Sequence, residues 1–462
     1  MLFWFSNRIT FLYVPVTKRC CSSCNGHLSF WGIMNLEIKK WAEENSSYQR
    51  YAHFDCKVAI KDVIEDVSDP GYITKHAFKP FLHFTTEMIK YSKTRGRYSK
   101  TRSLYKASHL DACVYQYYAH QLNELYNKVA KRRKLNNVSI AYRTQSHKSN
   151  IHFAKEAFDF IRANPNCTVI ISDFTNFFDT LDHAYLKQQL CALLESKHLP
   201  DDFYKVFKSI TNYAFVEERE LFEFMEKEGI TASSKLLMPM SELRKHRELI
   251  KKNDNSFGIP QGSSISAVLS NVYMMDFDVA CSCLLQSYNG LYMRYSDDSI
   301  FVFPNTAPAQ AKSLFDSILK MVKMIPNLQL SAQKTKIFHF QRNTIQNLGW
   351  EIGNDDQKNF IDYLGFTFDG RRVQIRGKTI SKYYYRAYKK IDTIKSQNAD
   401  PSRIKKVGTH NLYEIYSAKG TKSSQRRFLN YIQRCERVWG KEERLARILY
   451  THYGKIKRRL KS

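Results

Sequence analysis

The stretch LYMRYSDDSIFVF, from Leu291 to Phe303, predicts a β-hairpin with two adjacent carboxylates at its tip. Two runs rich in aromatic and β-branched residues flank Ser296, Asp297 and Asp298, so the stretch indicates two strands joined by a tight turn. Adjacent aspartates usually mark only a solvated turn, but here apolar residues on both sides place them at the edge of a core. Because Mg²⁺ prefers carboxylate oxygens, the tip is a candidate metal site that needs a further carboxylate from elsewhere.

A second acidic strand end lies upstream in TVIISDFTNFFD, from Thr168 to Asp179. Its continuous β-branched run is typical of a buried strand, and it ends at Asp173. Between the two acidic elements, the stretch GIPQGSSISAVLSN predicts a backbone-rich turn followed by a helix that begins near Ser264. The chain therefore carries two acidic strand ends separated by a glycine-rich turn.

In this order the three elements resemble motifs A, B and C of the reverse transcriptases. Asp173 matches the motif A aspartate, Gly258 to Gly262 (GIPQG) matches motif B, and Tyr295 to Asp298 (YSDD) matches the Tyr-x-Asp-Asp box of motif C. Downstream, Leu330 to Ile337 (LSAQKTKI) is similar to motif D, and Tyr363 to Phe366 (YLGF) is similar to the motif E turn that grips the primer. Each motif alone is a weak signal, whereas the ordered set is specific.

The resemblance, recognisable from Arg102 to Phe368, implies an α+β fold. This is a right-hand polymerase with fingers, a palm of antiparallel sheet plus helices, and a helical thumb. The expected regions are an N-terminal extension (1–33), fingers and N-terminal helices (34–155), a palm with motifs A to E and an insertion near 187–252 (156–370), and a basic helical thumb and tail (371–462). The sequence pattern further predicts mostly helix over 35–89, helix over 187–252, an amphipathic helix over 151–163, and a charged tail without a core pattern over 455–462.

The charge balance points to a polyanionic partner. The 462 residues include 72 Lys and Arg against 44 Asp and Glu, a formal net charge of +28, which solubility does not require. Part of it lies in Lys90 to Lys106, where YSKTR occurs twice. Tyrosines among basic residues suit a nucleic-acid backbone, and a solvated loop is the equally weighted alternative.

The ten scattered cysteines favour a reduced, cytoplasmic setting. No run of apolar residues is long enough to predict a membrane partner.

The resemblance implies a metal-dependent phosphoryl transfer. Asp173 and Asp297 are expected to hold two Mg²⁺ ions, or Mn²⁺ in their place, roughly 4 Å apart. Asp298 is expected to be a third, weaker ligand or a charge-balancing neighbour. The backbone carbonyl of Phe174 is expected to complete the coordination of the nucleotide-bound ion.

The same resemblance assigns roles around the nucleotide. Lys334 is the expected proton donor or charge stabiliser for the pyrophosphate leaving group, with Lys336 as the competing candidate. Phe178 occupies the position of the aromatic steric gate that crowds a ribose 2′-OH and so favours deoxynucleotides. The alternative is that Phe177 and Phe178 are simply core residues.

Further contacts are expected with the base pair, the triphosphate and the primer. Gln261 and Gly262 would approach the templating base pair, because glycine lets the backbone lie close. Arg102 and Lys106 are the triphosphate candidates, although Leu110 and Ala112 replace the basic residues usual in that segment. Tyr363, Leu364, Gly365 and Phe366 form the expected primer grip.

The predicted function is that of an RNA-directed DNA polymerase that uses dNTPs and yields a DNA product. Ala141-Tyr142-Arg143, the compact layout and the long spacing between motifs A and B are similar to bacterial reverse transcriptases of the retron, abortive-infection and unknown-group lineages. That resemblance implies antiviral defence against phage, a dedicated structured non-coding RNA template and a homo-oligomer. The alternatives are a template-independent or protein-primed DNA polymerase, an RNA-templated RNA polymerase, and a catalytically inactive nucleic-acid-binding scaffold.

Overall fold

The computed structural model describes residues 27–92, 96–143, 148–233, 236–332, 334–349, 358–402, 407–416 and 428–461. Most of the predicted N-terminal extension, residues 1–26, lies outside the described residues.

The described residues form twelve strands and sixteen α-helices. The strands are β1 Phe81–Ser92, β2 Gly96–Lys106, β3 Asn166–Asp173, β4 Ala214–Glu217, β5 Lys251–Lys252, β6 Leu291–Tyr295, β7 Asp298–Pro304, β8 Lys336–Gln341, β9 Thr344–Asn347, β10 Ile361–Tyr363, β11 Phe366–Phe368 and β12 Val373–Ile375. The helices are α1 His27–Glu44, α2 Ile60–Ser68, α3 Pro70–Lys75, α4 His109–Arg132, α5 Asn150–Ala163, α6 His183–Leu193, α7 Asp201–Thr211, α8 Glu218–Lys227, α9 Met240–Leu243, α10 Ser264–Tyr273, α11 Met275–Gln286, α12 Ala311–Lys323, α13 Gly377–Ala399, α14 His410–Tyr416, α15 Phe428–Trp439 and α16 Arg447–Lys461.

A five-stranded antiparallel sheet with the order β6-β7-β3-β8-β9 lies at the centre. Alternate residues of β3 enter different cores: Ile170 packs on one face with α4, α10 and α12, and Val169 and Ile171 pack on the other with α5 and α15. Burial on both faces explains why the β3 sequence is continuously apolar rather than alternating. The predicted strand before Asp173, the hairpin at Asp297, and the helices at Ser264 and 151–163 are confirmed.

A second sheet, with the order β2-β1-β4-β5, corrects two helical predictions. The long β1–β2 hairpin begins inside the segment 35–89 that was expected to be mostly helical. Within 187–252, β4 pairs in parallel with β1, and β5 pairs with β4. Four-residue β4 carries too little pattern to identify, and its backbone partner lies more than 130 residues away in the chain. The solvated-loop alternative for 90–106 is wrong for Gly96–Lys106, which forms strand β2.

A small sheet of β10, β11 and β12 precedes the C-terminal helices. Helices α13 and α16 pack together through Ile391 and Ile394 on α13 and Ile456 on α16, all of them buried. The prediction that 455–462 has no core pattern is therefore wrong, because α16 continues to Lys461 and one apolar residue suffices once α13 supplies the facing surface.

Among the described residues, no individual helix is both long and apolar enough to cross a membrane. Only α10 and α11 taken together, with a 49° bend between them, meet that test of length and composition.

The close approach of Gly290 to β7 gives a stability prediction. A Cβ at Gly290 would lie 2.5 Å from the Val302 carbonyl oxygen and 2.7 Å from a Leu285 methyl group. We expect Gly290→Ala to lower the free energy of unfolding by about 1–3 kcal/mol, because the backbone of β7 must move. Urea denaturation measures the change.

Gly454→Ala is the matched control, because Gly454 lies inside α16 with nothing within 4 Å of a Cβ. There we expect a gain of about 0.5–1 kcal/mol from helix propensity. Equal midpoints for Gly290→Ala and the parent protein would contradict the close packing.

Candidate active site

Three carboxylates meet at one edge of the central sheet. Asp173 ends β3 and lies directly opposite Asp298, the first residue of β7, in the antiparallel register. Tyr295 pairs with Asp298 in the β6–β7 hairpin, so Ser296 and Asp297 form a two-residue turn. Asp173 is only 7% exposed. The strand ends predicted from the sequence thus bring Asp173, Asp297 and Asp298 to one place.

Among the described residues, Lys334 binds this cluster directly. Its ammonium group donates to Asp173 Oδ1, and the preceding loop is attached to the same residue because the Ser331 amide donates to the Asp173 carbonyl at 2.7 Å. Lys336 instead lies near Asp362, where burial raises the pKa of the carboxyl and the neighbouring Arg376 and Lys336 oppose that rise. Of the two lysine candidates, the structure therefore places Lys334 against the carboxylates.

Burial and like charge perturb these carboxyls. Burial, together with the neighbouring Asp297 and Asp173 carboxylates, raises the pKa of Asp298 to about 7. Burial also raises the pKa of Asp173; the Asp297 carboxylate adds to that shift, and Lys334 and Lys100 oppose it. The cluster is thus a crowded negative centre with cations approaching from two different elements.

The donor set fits a divalent cation. Three carboxylates provide the hard oxygen ligands that Mg²⁺ and Mn²⁺ prefer, and a cation would relieve the repulsion that adds to burial in raising the pKa of Asp298. As the side chains stand, the described part of the chain contains no group of three or more His, Cys, Asp or Glu residues placed to hold a metal ion. Asp173, Asp297 and Asp298 are the residues that would hold one, with the Lys334 ammonium displaced from Asp173.

The aromatic residues after β3 divide into core and site. Phe174 and Phe177 are buried and stack at 5.7 Å between ring centroids. Phe178 is only partly buried, and its carbonyl accepts from the Ile259 amide at 2.9 Å. Phe177 is therefore the fully buried member of the pair, whereas Phe178 packs against the same core and is only partly buried beside the glycine-rich turn.

The glycine-rich turn packs against strand β2. The Tyr105 amide donates to the Gln261 carbonyl at 2.9 Å. A Cβ at Gly262, which has a φ of +124°, would lie 2.6 Å from the Tyr105 carbonyl oxygen. Only glycine fits this approach. Gln261 and Gly262 thus join the β1–β2 hairpin to the centre of the molecule.

The two candidates for triphosphate contacts, Arg102 and Lys106, differ in their surroundings. Lys106 is engaged elsewhere, since its ammonium group binds Glu218 at 2.6 Å and lies 4.1 Å from the centre of the Phe84 ring. Arg102 is exposed on β2. Lys100, which the motif comparison missed, lies close enough to Asp173 to influence the pKa of that carboxyl. The available signal was strand periodicity, because residues 100 and 102 of one strand share a face.

The YLGF segment forms the β10–β11 turn, with positive φ angles at Leu364 and Gly365. The side chains of Tyr363, Leu364 and Phe366 are buried, so only the backbone around Gly365 is accessible. Asn150 holds this turn by donating to the Leu364 carbonyl at 3.0 Å. The predicted grip can therefore contact a primer only through the turn backbone.

An antiparallel sheet that carries a carboxylate cluster, with a glycine-rich turn and a basic hairpin beside it, defines a nucleotidyltransferase of the polymerase class. The family model described as "Reverse transcriptase (RNA-dependent DNA polymerase)" matches residues 113–368, more than half of the chain. The chain therefore belongs to the reverse transcriptase family of RNA-directed DNA polymerases, whose members generally use divalent metal ions. The predicted fold class and enzyme class are confirmed.

Among solved structures, similar chains include two telomerases. Apo telomerase from Candida tropicalis, truncated from its C-terminal domain, is 15% identical, with 68% of this chain and 60% of that chain covered and a TM-score of 0.39. Telomerase from Candida albicans in complex with a TWJ fragment of telomeric RNA is 12% identical, with 94% and 64% covered and a TM-score of 0.36. This chain thus spans less than two thirds of the length of those chains. A search of curated proteins finds no match.

The raised pKa of Asp298 predicts a pH-dependent stability. Between its ordinary value of about 3.9 and about 7, the folded protein keeps a proton on Asp298 that the unfolded chain has lost. Stability of the metal-free protein should therefore fall as pH rises through this window. We expect Asp298→Asn to raise the free energy of unfolding at pH 8 by about 1–3 kcal/mol.

Denaturant melts in EDTA at pH 8 and pH 4 measure this effect. The gain should nearly disappear at pH 4, where the folded protein keeps the proton on Asp298 and the unfolded chain, with a pKa of about 3.9, has regained about half of it. Glu223→Gln, which removes only an exposed ion pair with Arg219 on α8, is the control and should show no gain at either pH. A gain of equal size at both pH values would contradict the role of charge crowding.

Proposed function

We propose that this reverse transcriptase copies a bound RNA template into DNA at the Asp173, Asp297 and Asp298 cluster. The observation that carries the proposal is the register that sets Asp173 opposite Asp298 with Asp297 in the adjoining turn. The charge of +28 supports a nucleic-acid partner.

The proposed chemistry is an in-line attack of a primer 3′-OH on the α-phosphate of a dNTP. The chemistry supplied by bound divalent cations, with Mg²⁺ preferred and Mn²⁺ as a substitute, is hydroxyl activation and charge neutralisation. Asp173, Asp297 and Asp298 would hold the cations, with the Phe174 carbonyl beside them. Lys334, released from Asp173, would donate a proton to the leaving pyrophosphate.

The remaining site residues would select and orient the nucleotide. Phe178, partly exposed beside Ile259, would crowd a 2′-OH and favour dNTPs. Gln261 and Gly262 would lie under the base pair, and Gly365 would present its backbone to the primer. We propose the β1–β2 hairpin as part of the fingers and α13 to α16 as the thumb.

The finer identity of the enzyme rests on sequence resemblance. We propose a dedicated structured non-coding RNA as template and antiviral defence against phage as the biological role, because Tyr142, Arg143 and the long spacing between motifs A and B are similar to retron, abortive-infection and unknown-group enzymes. Cytoplasmic localisation, the domain boundaries and a homo-oligomer stay predictions.

Co-purified nucleic acid tests the function directly. The chain is purified from its native locus, its bound RNA is sequenced, and dNTPs with Mg²⁺ or Mn²⁺ are added. We expect DNA complementary to one structured RNA. Asp297→Asn should abolish this product while the yield of bound RNA stays unchanged, because the turn carboxylate is needed for metal and not for RNA.

The other outcomes separate the alternatives. DNA unrelated to the bound RNA would indicate template-independent synthesis, and DNA that a protease releases from the protein would indicate a protein primer. Incorporation of rNTPs in place of dNTPs would indicate an RNA polymerase. No product under any condition would leave the scaffold interpretation and overturn the proposal.

Lys100 gives a separate test of the nucleotide site. Because its ammonium group lies near enough to Asp173 to oppose the rise in the pKa of that carboxyl, Lys100→Ala should raise the KM for dNTP about 10-fold or more. Lys106→Ala, which removes a lysine already bound to Glu218, should leave that KM within about 2-fold. Steady-state kinetics with varied dNTP measure both, and equal effects would contradict the assignment of Lys100.

A further inference from the structure

A completely buried ion pair lies under the catalytic hairpin. Arg294 of β6 and Asp278 of α11 are both fully inaccessible. Arg294 Nε donates to Asp278 Oδ1 at 2.8 Å, and Nη2 donates to Oδ2 at 2.7 Å. Contact with Asp278 outweighs the effect of burial and raises the pKa of Arg294. The guanidinium therefore stays charged inside the core.

The stability of the fold does not by itself explain a buried ion pair at this position. Removing two charges from water costs about as much as their attraction returns, so packed apolar residues are often equally stable there. The Tyr292 hydroxyl also donates to Asp278 Oδ1, at 2.8 Å. The carboxylate is thus fully engaged, which fixes the plane of the guanidinium.

The remaining nitrogen of Arg294 reaches the turn of the hairpin. Nη1 donates to the Ser296 carbonyl at 2.9 Å, the peptide that leads directly into Asp297. Ser296 has a φ of +60°, a left-handed conformation that costs a non-glycine residue energy. A second hydrogen bond, from the Tyr142 hydroxyl to Ser296 Oγ at 3.2 Å, holds the same residue.

The pair also joins the hairpin to its surroundings. Arg294 Nη2 contacts Ser139 Oγ at 3.3 Å. The Arg294 amide donates to the Val138 carbonyl at 2.7 Å, and the Ile140 amide donates to the Arg294 carbonyl at 3.0 Å. Strand β6 is thus bonded to the segment 138–142 by backbone and side chain, and that segment supplies Tyr142.

We propose that Arg294, held in plane by Asp278, is a positioning residue that fixes the Ser296 peptide so that Asp297 and Asp298 face Asp173. Strand alternation places Arg294 on the opposite face of the sheet from Tyr295. It therefore acts through the backbone and not by contact with substrate. The proposal rests on the carboxylate roles proposed above.

Two variants remove the contact with the turn while keeping the core filled. Arg294→Met combined with Asp278→Leu replaces the ion pair with apolar side chains of similar size. Arg294→Lys keeps the charge, but a single ammonium group cannot bind two carboxylate oxygens and the Ser296 carbonyl in fixed geometry. Tyr292→Phe is the matched control, since it loses a buried hydrogen bond to Asp278 and leaves the bond from Arg294 to Ser296 intact.

The first readout is the affinity of the full chain for Mn²⁺ in the absence of nucleic acid. Electron paramagnetic resonance measures the Mn²⁺ that stays free, and so gives the bound fraction. We expect about 10-fold weaker binding in both Arg294 variants and no change in Tyr292→Phe. In primer extension, kcat should fall on the order of 10²-fold while the KM for dNTP and the Kd for RNA stay within about 2-fold, because a displaced reacting group affects the chemical step.

The outcomes are distinguishable. A folded double variant or Arg294→Lys with native Mn²⁺ affinity and native kcat would reduce the pair to a structural role and overturn the proposal. If the double variant does not fold, the Mn²⁺ affinity and kcat of Arg294→Lys alone test the proposal. Equal loss in Tyr292→Phe and Arg294→Lys would show that stability alone is responsible. If the native chain synthesises no DNA, the proposed function fails, and Mn²⁺ affinity still tests the positioning.

Discussion

The hydrogen-bonded register between β3 and β7 is the constraint on which the site depends. It pairs Asp173 with Asp298 and Ser172 with Ser299 along an unbroken antiparallel ladder. Because a slip of one residue would exchange the two faces of the strand, the register is held by both cores at once. Ile170 is packed on one side and Ile171 on the other. The packing of ordinary aliphatic residues thus determines which carboxylates face each other.

The fold concentrates negative charge at that edge and brings positive charge to it from separate elements. Lys334 comes from the loop before β8, and Lys100 comes from the β1–β2 hairpin. A chain with a formal net charge of +28 thereby keeps a local acidic centre. Such an arrangement attracts a polyanion and still provides the oxygen ligands that a divalent cation needs.

The sequence predicted what is carried by local pattern and missed what depends on distant partners. Asp173, Asp297 and Asp298 were found because strand-forming runs end at them, and α10 because a glycine-rich turn precedes it. The pairing of Lys106 with Glu218 links residues 112 positions apart, so the lysine looked free for a triphosphate. The burial of Tyr363 depends on packing between distant parts of the chain, and so does the pairing of Arg294 with Asp278 on α11. Neither can be predicted from the local spacing of residues in the sequence.

The parallel pairing of β4 with β1 has a consequence for any attempt to shorten this enzyme. Residues between motifs A and B supply the neighbouring strand for Phe81 to His83, so their removal would leave that part of β1 as an open edge. Open edges recruit strands from other molecules and promote aggregation. The intervening segment is thus part of the sheet itself, and a minimal polymerase engineered from this chain would have to retain β4 or cap β1 in its place.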